Sequence, residues 1–245
     1  MHIDINCDTG EGIGNDEALM PFITSANIAC GYHAGDKDTM RTTILLTKKY
    51  GVHAGAHPSF PDKENFGRTE MPCTPQELYH FVSKQLHLFG TIAAECEVAF
   101  HHVKPHGALY NMAARDAQLA KAFALAVKDF KSHLIVYGLS NSHLVAEAEK
   151  IGLKAKHEVF ADRTYQNDGS LTPRSQAGAL IEDESKAIRQ VLQMIEKKTV
   201  DTLAGKEIPI QANTICIHGD GKHAVAFAEK IYQSLQQRNL VSKAN

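Results

Sequence analysis

The stretch with the highest density of reactive side chains is residues 25–36, SANIACGYHAGD. It brings Asn27, Cys30, His33 and Asp36 close together in the chain, along with two glycines. Its first half has the apolar character of a buried strand, and Asp36 is a good residue to cap a following helix. The polar groups therefore fall on the loop that leaves the carboxyl end of a strand, which is where α/β folds bind ligands.

Similar polar groups follow most of the other strands that the sequence predicts. If these strands are parallel, the loops after them lie on one rim of the fold. An acid, a histidine or a cation then reaches that rim from nearly every strand, namely Asp8, Glu11, His33, Asp36, His57, Lys104, His106, Glu158, Asp162, Arg163, His218 and Asp220. A barrel that only bound partners would not need this concentration, so we expect an enzyme.

Two kinds of chemistry fit these groups. Asp8, His33 and His57 offer one carboxylate and two imidazoles, a ligand set that suits zinc or another divalent metal. The spacing does not settle the matter, because no two of these residues form an HxxxH or HExxH motif. In the metal-free alternative, Asp8 activates water, a histidine carries protons, and Lys104 and Arg163 hold anionic groups of the substrate.

Strands and helices alternate along the chain, which predicts parallel strands joined by right-handed crossovers. We predict strands at residues 2–6, 23–29, 52–56, 99–104, 134–138, 154–160 and 214–217. Helices are predicted over residues 15–22, 36–50, 74–94, 116–128, 142–151, 176–197 and 223–237. Seven strands in 245 residues fit a single α/β domain, a TIM-like seven-stranded (β/α) barrel over residues 1–245. An open doubly wound sheet is the alternative.

The composition argues against several classes of function. The formal net charge is −2 and no basic run occurs, so nucleic acid is not an expected partner. No stretch of about 18 apolar residues predicts a membrane span, and the N-terminus lacks the features of a secretory signal. The five cysteines form no CxxC pair, which predicts reduced thiols in a cytoplasmic protein. No glycine-rich phosphate-binding loop occurs.

Several long motifs resemble those of one known family, LamB/YcsF. They are DINCDTGEG, SANIACGYHAGD, GAHPSFPD, FGR, HVKPHGALYN, EVFADRTYQNDGSLTPR and CIHGD, and they follow the order of that family from Asp4 to Asp220. One departure is Thr69, which follows FGR where many members have a second arginine. The resemblance implies a (β/α)-type barrel similar to the glycoside hydrolase and polysaccharide deacetylase superfamily.

The resemblance also implies an activity, because this family supplies one component of the bacterial ATP-dependent 5-oxoprolinase. That enzyme hydrolyses the lactam of 5-oxo-L-proline to L-glutamate and couples this to hydrolysis of ATP to ADP and phosphate. The implied partners are two further subunits, B and C. Because the chain has no phosphate-binding loop, we expect ATP to bind on the partner subunits or at an interface with them.

The resemblance does not fix the catalytic residues, so their roles are hypotheses from the chemistry. Asp8 or His33 would act as the general base for water, and Lys104 and His106 would stabilise the phosphorylated oxygen. Asp162 or Asp220 would orient a histidine. The residues expected to bind substrate are Asn6, Asn27, His57, Glu158, Arg163, His218 and Asp220, with Arg163 holding the substrate carboxylate.

Two other functions stay open at this point. A metal-dependent deacetylase of N-acetyl sugars would hold its metal on Asp8, His33 and His57 and would act without ATP. A scaffold or regulatory subunit would only bind partners. In that case, replacing His33 or His106 would leave the activity of the complex intact.

Overall fold

The computed structural model describes residues 2–218 and 224–241, and its main feature is a closed barrel of parallel strands. The strands are β1 (Asp4–Thr9), β2 (Ser25–Ala29), β3 (His53–His57), β4 (Phe100–Val103), β5 (Ile135–Leu139), β6 (Lys154–Phe160), β7 (Thr199–Asp201), β8 (Glu207–Pro209) and β9 (Thr214–Ile217). Strands β1 to β6 follow one another around the barrel, and β9 closes it between β6 and β1. The predicted barrel is confirmed over the open sheet.

Helices between the strands form the outer layer. They are α1 (Asp16–Leu19), α2 (Lys37–Tyr50), α3 (Pro75–Glu95), α4 (Gly107–Arg115), α5 (Ala117–Phe130), α6 (His143–Lys150), α7 (Glu184–Leu192) and α8 (Ala224–Gln236). The residues predicted to begin helices α2 and α3, and to end α2, do so. Asp36 caps α2 by accepting a hydrogen bond from the Thr39 amide at 2.8 Å, and Gly51 ends that helix with φ of 64°. Thr74 and Glu77 form the capping box of α3.

Three stretches differ from the predicted elements. Strand β1 runs on to Thr9, so Asp8 lies on the strand and not on the loop after it. The HGALYN motif forms helix α4, which buries Ala108, Leu109 and Tyr110. The helix predicted from residue 176 begins only at α7, because Gly178 is left-handed with φ of 79° and Asp183 caps α7. The antiparallel hairpin of β7 and β8 follows α7, and residue 223, where the last helix was predicted to begin, lies outside the described residues.

The inside of the barrel is polar, whereas the layer between barrel and helices is apolar. At the amino-terminal end, the Asp4 carboxylate accepts hydrogen bonds from Ser25 Oγ at 2.7 Å and Thr214 Oγ1 at 2.6 Å. Side chains two residues apart on a strand share a face. Asp4, Asn6 and Asp8 therefore all face the interior, and β1 supplies polar groups along the whole length of the barrel.

A buried histidine fixes the middle of this polar interior. The His102 ring stacks on Tyr137 with centroids 4.2 Å apart, and its Nε2 atom donates to Asn27 Oδ1 at 2.8 Å. A Cβ atom on Gly55 would lie 2.2 Å from His102 Nε2, so only glycine leaves room for the ring. With its oxygen bonded to His102, Asn27 turns its amide nitrogen towards Asn6 and Asp8, at 2.7 and 2.8 Å.

Two further findings concern the chain as a whole. Within residues 2–218 and 224–241, no helix combines the length and the apolar character needed to cross a bilayer. All five cysteines are free, and Cys73 alone is partly exposed while the other four are buried.

Candidate active site at the carboxyl-terminal rim

A buried lysine lies at the floor of the rim. The Nζ atom of Lys104 lies 2.8 Å from Asp8 Oδ1 and 2.9 Å from Glu158 Oε1. It also donates to Asn6 Oδ1 at 3.3 Å and lies 3.1 Å from the sulfur of Cys216. These partners come from β1, β6 and β9, so closure of the barrel assembles the network around the ammonium group.

The charges in this network stabilise one another against the cost of burial. Burial acts to lower the pKa of Lys104, but Asp8, Cys216 and Glu158 raise it well above its usual value. Burial likewise acts to raise the pKa of Asp8, but His57 and Lys104 hold it well below its usual value. Lys104 is therefore a fixed ammonium and Asp8 a fixed carboxylate at neutral pH.

Two histidines face each other beside Asp8. His57, at the end of β3, donates from Nδ1 to the carbonyl of Lys104 at 2.8 Å. His106, just before α4, donates from Nε2 to the carbonyl of Phe66 at 2.8 Å. The remaining nitrogens, His57 Nε2 and His106 Nδ1, lie 2.9 Å apart, and His57 Nε2 lies 3.3 Å from Asp8 Oδ2. Because a carbonyl only accepts hydrogen bonds, both remaining nitrogens are acceptors in the neutral rings.

A third histidine, His33, stacks on His106 with centroids 3.7 Å apart and planes 4° apart. Its Nδ1 atom lies 2.9 Å from Ser59 Oγ, whose own proton goes to the carbonyl of the next residue. His33 therefore donates from Nδ1, and its Nε2 faces Glu11 Oε1 at 3.3 Å. Burial lowers the pKa of both His33 and His106 well below the usual value, so these two rings are neutral at pH 7.

The loop after β3 closes against these rings. Phe66 and Gly67 both have left-handed backbones, with φ of 57° and 67°. The Phe66 conformation is uncommon for a bulky residue, and its carbonyl is the one that accepts from His106. A Cβ atom on Gly67 would lie 2.9 Å from both His106 Cδ2 and His33 Cβ, so the loop packs this tightly only with glycine.

A second acid–histidine pair comes from the ends of β6 and β9. Asp162 Oδ2 lies 2.7 Å from Nδ1 of His218. Burial acts to raise the pKa of Asp162, but the charge and hydrogen bond of His218 bring it below its usual value. The next residue, Arg163, donates hydrogen bonds to the carbonyls of Thr172 and Ala179. These bonds hold the loop between β6 and α7 in place. Burial, with a contribution from the charge of a neighbouring arginine, lowers the pKa of Arg163 to about 10.

These groups surround an open cavity of about 1430 Å³. The residues of its wall that the sequence indicated are Asp8, Glu11, His57, Lys104, His106, Arg163 and His218. Further positive charge reaches the wall from Arg68, Arg115, Arg174 and Lys206. Small-molecule sites usually measure about 300–1000 Å³, so this cavity has room for more than one small ligand.

The structure brings most of the candidate residues into one network, which contains Asn6, Asp8, Asn27, His33, His57, Lys104, His106 and Glu158. Asp162 and His218 form a separate pair, and Asp220 lies outside the described residues. Sequence reasoning gave no role to Ser59 or Cys216. Cys216 could have been found, because it lies two residues from Thr214 on the predicted strand and so shares its face.

Some of these side chains have the composition of a metal site. Among the described residues, Asp8, His57 and His106 place one ligand atom each within 4.8 Å of one another, and so do Glu11, His33 and His106. A third set joins Asp8 to Cys216 and His218. The structure thus groups Asp8 and His57 as predicted, but with His106 as the third member, while His33 groups with Glu11.

Comparison with known sequences relates this chain to the LamB/YcsF family. Residues 3–244 match the model of the LamB/YcsF family. A protein of Bordetella parapertussis, named as the A subunit of 5-oxoprolinase, is 51% identical over 247 aligned positions, covering 99% of this chain and 98% of that protein. One of the same name from Brevibacillus brevis is 50% identical, over 95% of this chain and 94% of its own length.

Solved structures give the same relationship. The lactam utilization protein of Thermus thermophilus is 38% identical, with a TM-score of 0.92 and complete coverage of both chains. A family 4 carbohydrate esterase of Streptomyces lividans is 10% identical, with a TM-score of 0.50 over 98% of this chain and 91% of its own. The second likeness extends to the fold alone.

Proposed function

The chain belongs to the LamB/YcsF family, and from this membership we propose that it is the A subunit of an ATP-dependent 5-oxoprolinase. In this role it opens the lactam of 5-oxo-L-proline to give L-glutamate while ATP is hydrolysed to ADP and phosphate. One observation carries the proposal. The chain shares 50–51% sequence identity with proteins named as the A subunit of 5-oxoprolinase, over nearly the full length of both chains.

The chemistry explains why such a reaction uses ATP. A five-membered lactam is an unactivated amide, and its carbonyl carbon is a poor electrophile. Transfer of the γ-phosphoryl group to the amide oxygen releases ADP and makes the carbon electrophilic. Water then adds to that carbon, the ring C–N bond breaks and the nitrogen takes up a proton. A second water hydrolyses the resulting acyl phosphate to glutamate and phosphate.

The floor of the cavity suits the charge that develops in this sequence. In the phosphorylated lactam the transferred group carries negative charge on its oxygens, and water addition moves the electrons of the C=N bond to the ring nitrogen. A fixed cation beside the phosphoryl oxygens offsets their charge and so lowers the barrier to water attack. Lys104 is such a cation, because its neighbours keep it protonated and it contributes to the cavity wall. Asp8 holds the ammonium group in position. His106 gives its Nε2 proton to Phe66, so we assign stabilisation of the phosphorylated oxygen to Lys104. Lys104 acts through its positive charge, because its N–H groups already face Asp8, Asn6 and Glu158.

We assign proton transfer to the Asp162–His218 pair. Asp162 fixes Nδ1 of His218, so Nε2 can accept a proton from the attacking water and return it to the ring nitrogen. Asp8 suits this task less, because a carboxylate with so low a pKa is a weak base. His33 is 1% exposed and lies outside the cavity wall. His218 therefore takes the role that the sequence suggested for Asp8 or His33.

The arginines of the wall supply the charge that attracts the substrate carboxylate. Arg163 already donates to two loop carbonyls, whereas Arg174 lines the cavity and is exposed. We propose that Arg174 binds the substrate carboxylate directly and that the positive charge of Arg163 helps to attract it. The size of the cavity leaves room for groups of subunits B and C, with ATP bound on them or at their interface in the cytoplasm.

The test is glutamate release from 5-oxo-L-proline, measured with this chain alone and after addition of subunits B and C from the same organism. We expect ATP-dependent glutamate from the mixture only. Full ATP-dependent activity of subunits B and C without this chain would overturn the proposal. If glutamate formed equally well without ATP, the proposed coupling of lactam opening to ATP hydrolysis would be overturned.

A further inference from the structure

The hydrogen bonds around His57 and His106 leave one contact without a proton. Each ring gives the proton of its far nitrogen to a backbone carbonyl, at 2.8 Å in both cases. The two near nitrogens then carry lone pairs, yet they lie only 2.9 Å apart. Asp8 Oδ2, a third acceptor, lies 3.3 Å from His57 Nε2. Three electron-pair donors that converge in this way require a cation among them.

We propose that Asp8, His57 and His106 bind a divalent transition-metal ion at the rim of the barrel. Two imidazoles and one carboxylate form a ligand set typical of zinc and of other first-row divalent ions. This inference concerns the resting chain and does not depend on the identity of the substrate or on the coupling to ATP.

The distances between the ligand atoms fit such an ion. With ligands at about 2.1 Å from the ion, the edges of a tetrahedron measure about 3.4 Å and those of an octahedron about 3.0 Å. The two observed separations, 2.9 Å between the nitrogens and 3.3 Å from His57 Nε2 to Asp8 Oδ2, lie close to these values. Side-chain shifts of a few tenths of an ångström are enough to seat the ion.

The surroundings have the second layer of hydrogen bonds that metal sites use. A histidine that binds a metal usually donates its other N–H to a carbonyl or carboxylate, which fixes the ring and its tautomer. Both rings meet this requirement. The other oxygen of Asp8 is held by Lys104 and Asn27, both at 2.8 Å, so Oδ2 is the one turned towards the histidines.

The site is pre-formed and open to solvent on one side. Asp8, His57 and His106 are 8%, 1% and 6% exposed, yet all three contribute to the cavity wall, which gives an ion a way in. The Glu11 carboxylate lies close by, with Oε1 3.7 Å from His106 Nδ1, and adds negative charge on that side.

A proton shared by His57 and His106 is the competing occupant. It would convert one of two rings that are only 1% and 6% exposed into a buried imidazolium. A single proton makes one strong hydrogen bond, whereas one divalent ion binds all three electron-pair donors, His57 Nε2, His106 Nδ1 and Asp8 Oδ2, at once.

The experiment measures metal on the full-length chain, so it needs neither substrate nor partner subunits. The purified protein is stripped with a chelator, dialysed and titrated with Zn²⁺ and with Co²⁺. We expect about one ion per chain, a rise in unfolding temperature of about 5 °C under saturating Zn²⁺, and visible absorption from the Co²⁺ form.

Variants then locate the ion. His106→Ala and the isosteric Asp8→Asn should each weaken Zn²⁺ binding at least about 100-fold. His143→Ala is the matched control, because His143 lines the same cavity but belongs to none of the three candidate ligand groups; this variant should bind Zn²⁺ like the wild type. The proposal is overturned if the stripped wild-type chain, folded by circular dichroism, gains neither metal nor thermal stability. It is equally overturned if folded Asp8→Asn keeps wild-type affinity, which would indicate adventitious binding elsewhere.

Discussion

Replacing Lys104 with methionine tests the account of the buried charges. Methionine keeps the length and apolar stem of lysine but leaves Asp8 and Glu158 without the ammonium that now lies 2.8 and 2.9 Å away. Lys104 is 2% exposed and Glu158 is fully buried, so water cannot replace the lost charge. Removing one partner of a buried ion pair costs about 3–5 kcal/mol, which for a chain of this size corresponds to roughly 10 °C in unfolding temperature.

The loss of stability in Lys104→Met should depend on pH in a definite direction. The folded-state pKa of Asp8 is depressed, so its stabilising effect is present above the unfolded value of about 3.9 and is lost as the pH falls through the folded value. The folded-state pKa of Lys104 is raised, so its contribution is present below about 10.4 and is lost only at higher pH. The difference in unfolding free energy between wild type and variant should therefore be widest from about pH 5 to 9, and it should narrow only below about pH 4.

The assay is thermal unfolding followed by circular dichroism, with a chelator present, at several values of pH. The matched control is Lys156→Met, because Lys156 lies 3.4 Å from Asp4 and its side chain is 27% exposed. That variant should lose clearly less stability, because Asp4 keeps hydrogen bonds from Thr24, Ser25 and Thr214. The double variant Lys104→Met/Glu158→Gln should recover part of the loss. The reasoning would be refuted if Lys104→Met destabilised the chain no more than the control variant does. It would also be refuted if the loss of stability did not depend on pH.

Two further variants test how the histidines are held. Asp162→Asn removes the carboxylate that fixes Nδ1 of His218, so kcat of the reconstituted complex should fall about 100-fold; an unaltered pH–rate profile would count against this role. Gly67→Ala should reduce activity more than Gly12→Ala. Both glycines are left-handed, with φ of 67° and 80°, and share that backbone cost, but a Cβ meets side-chain atoms at 2.9 Å only at Gly67. Equal losses of activity in the two variants would show that crowding of the His33 and His106 side chains does not affect catalysis.

Local signals were enough to predict the barrel and the position of its rim. The strands at residues 154–160 and 214–217 match β6 and β9 residue for residue. The first is an alternating segment that follows the helix-ending Gly152, and the second is a short apolar run. The ends of β1 were not predicted. Asp8 looks like a loop residue, and only the polar interior of the barrel makes it favourable on a strand.

The detailed site could not be predicted, because it depends on contacts between distant segments. His33 and His57 were expected to share a ligand set, but His106 occupies the place beside His57 and Asp8. The fold of the loop at Phe66 and Gly67 decides this, since it supplies the carbonyl that orients His106. The tautomers likewise follow from backbone acceptors, which the sequence does not reveal.

The central claim is that the rim of this chain takes part in opening the lactam. The most direct test measures glutamate and phosphate together in the complex with subunits B and C, using wild-type chain and Asp8→Asn. The substitution is isosteric, and Lys104 keeps Glu158 at 2.9 Å as its counter-ion, so the variant should fold and assemble. We predict equal amounts of glutamate and phosphate from the wild type and at least about 100-fold less glutamate from the variant. Near-normal glutamate formation by the assembled Asp8→Asn complex would contradict the account.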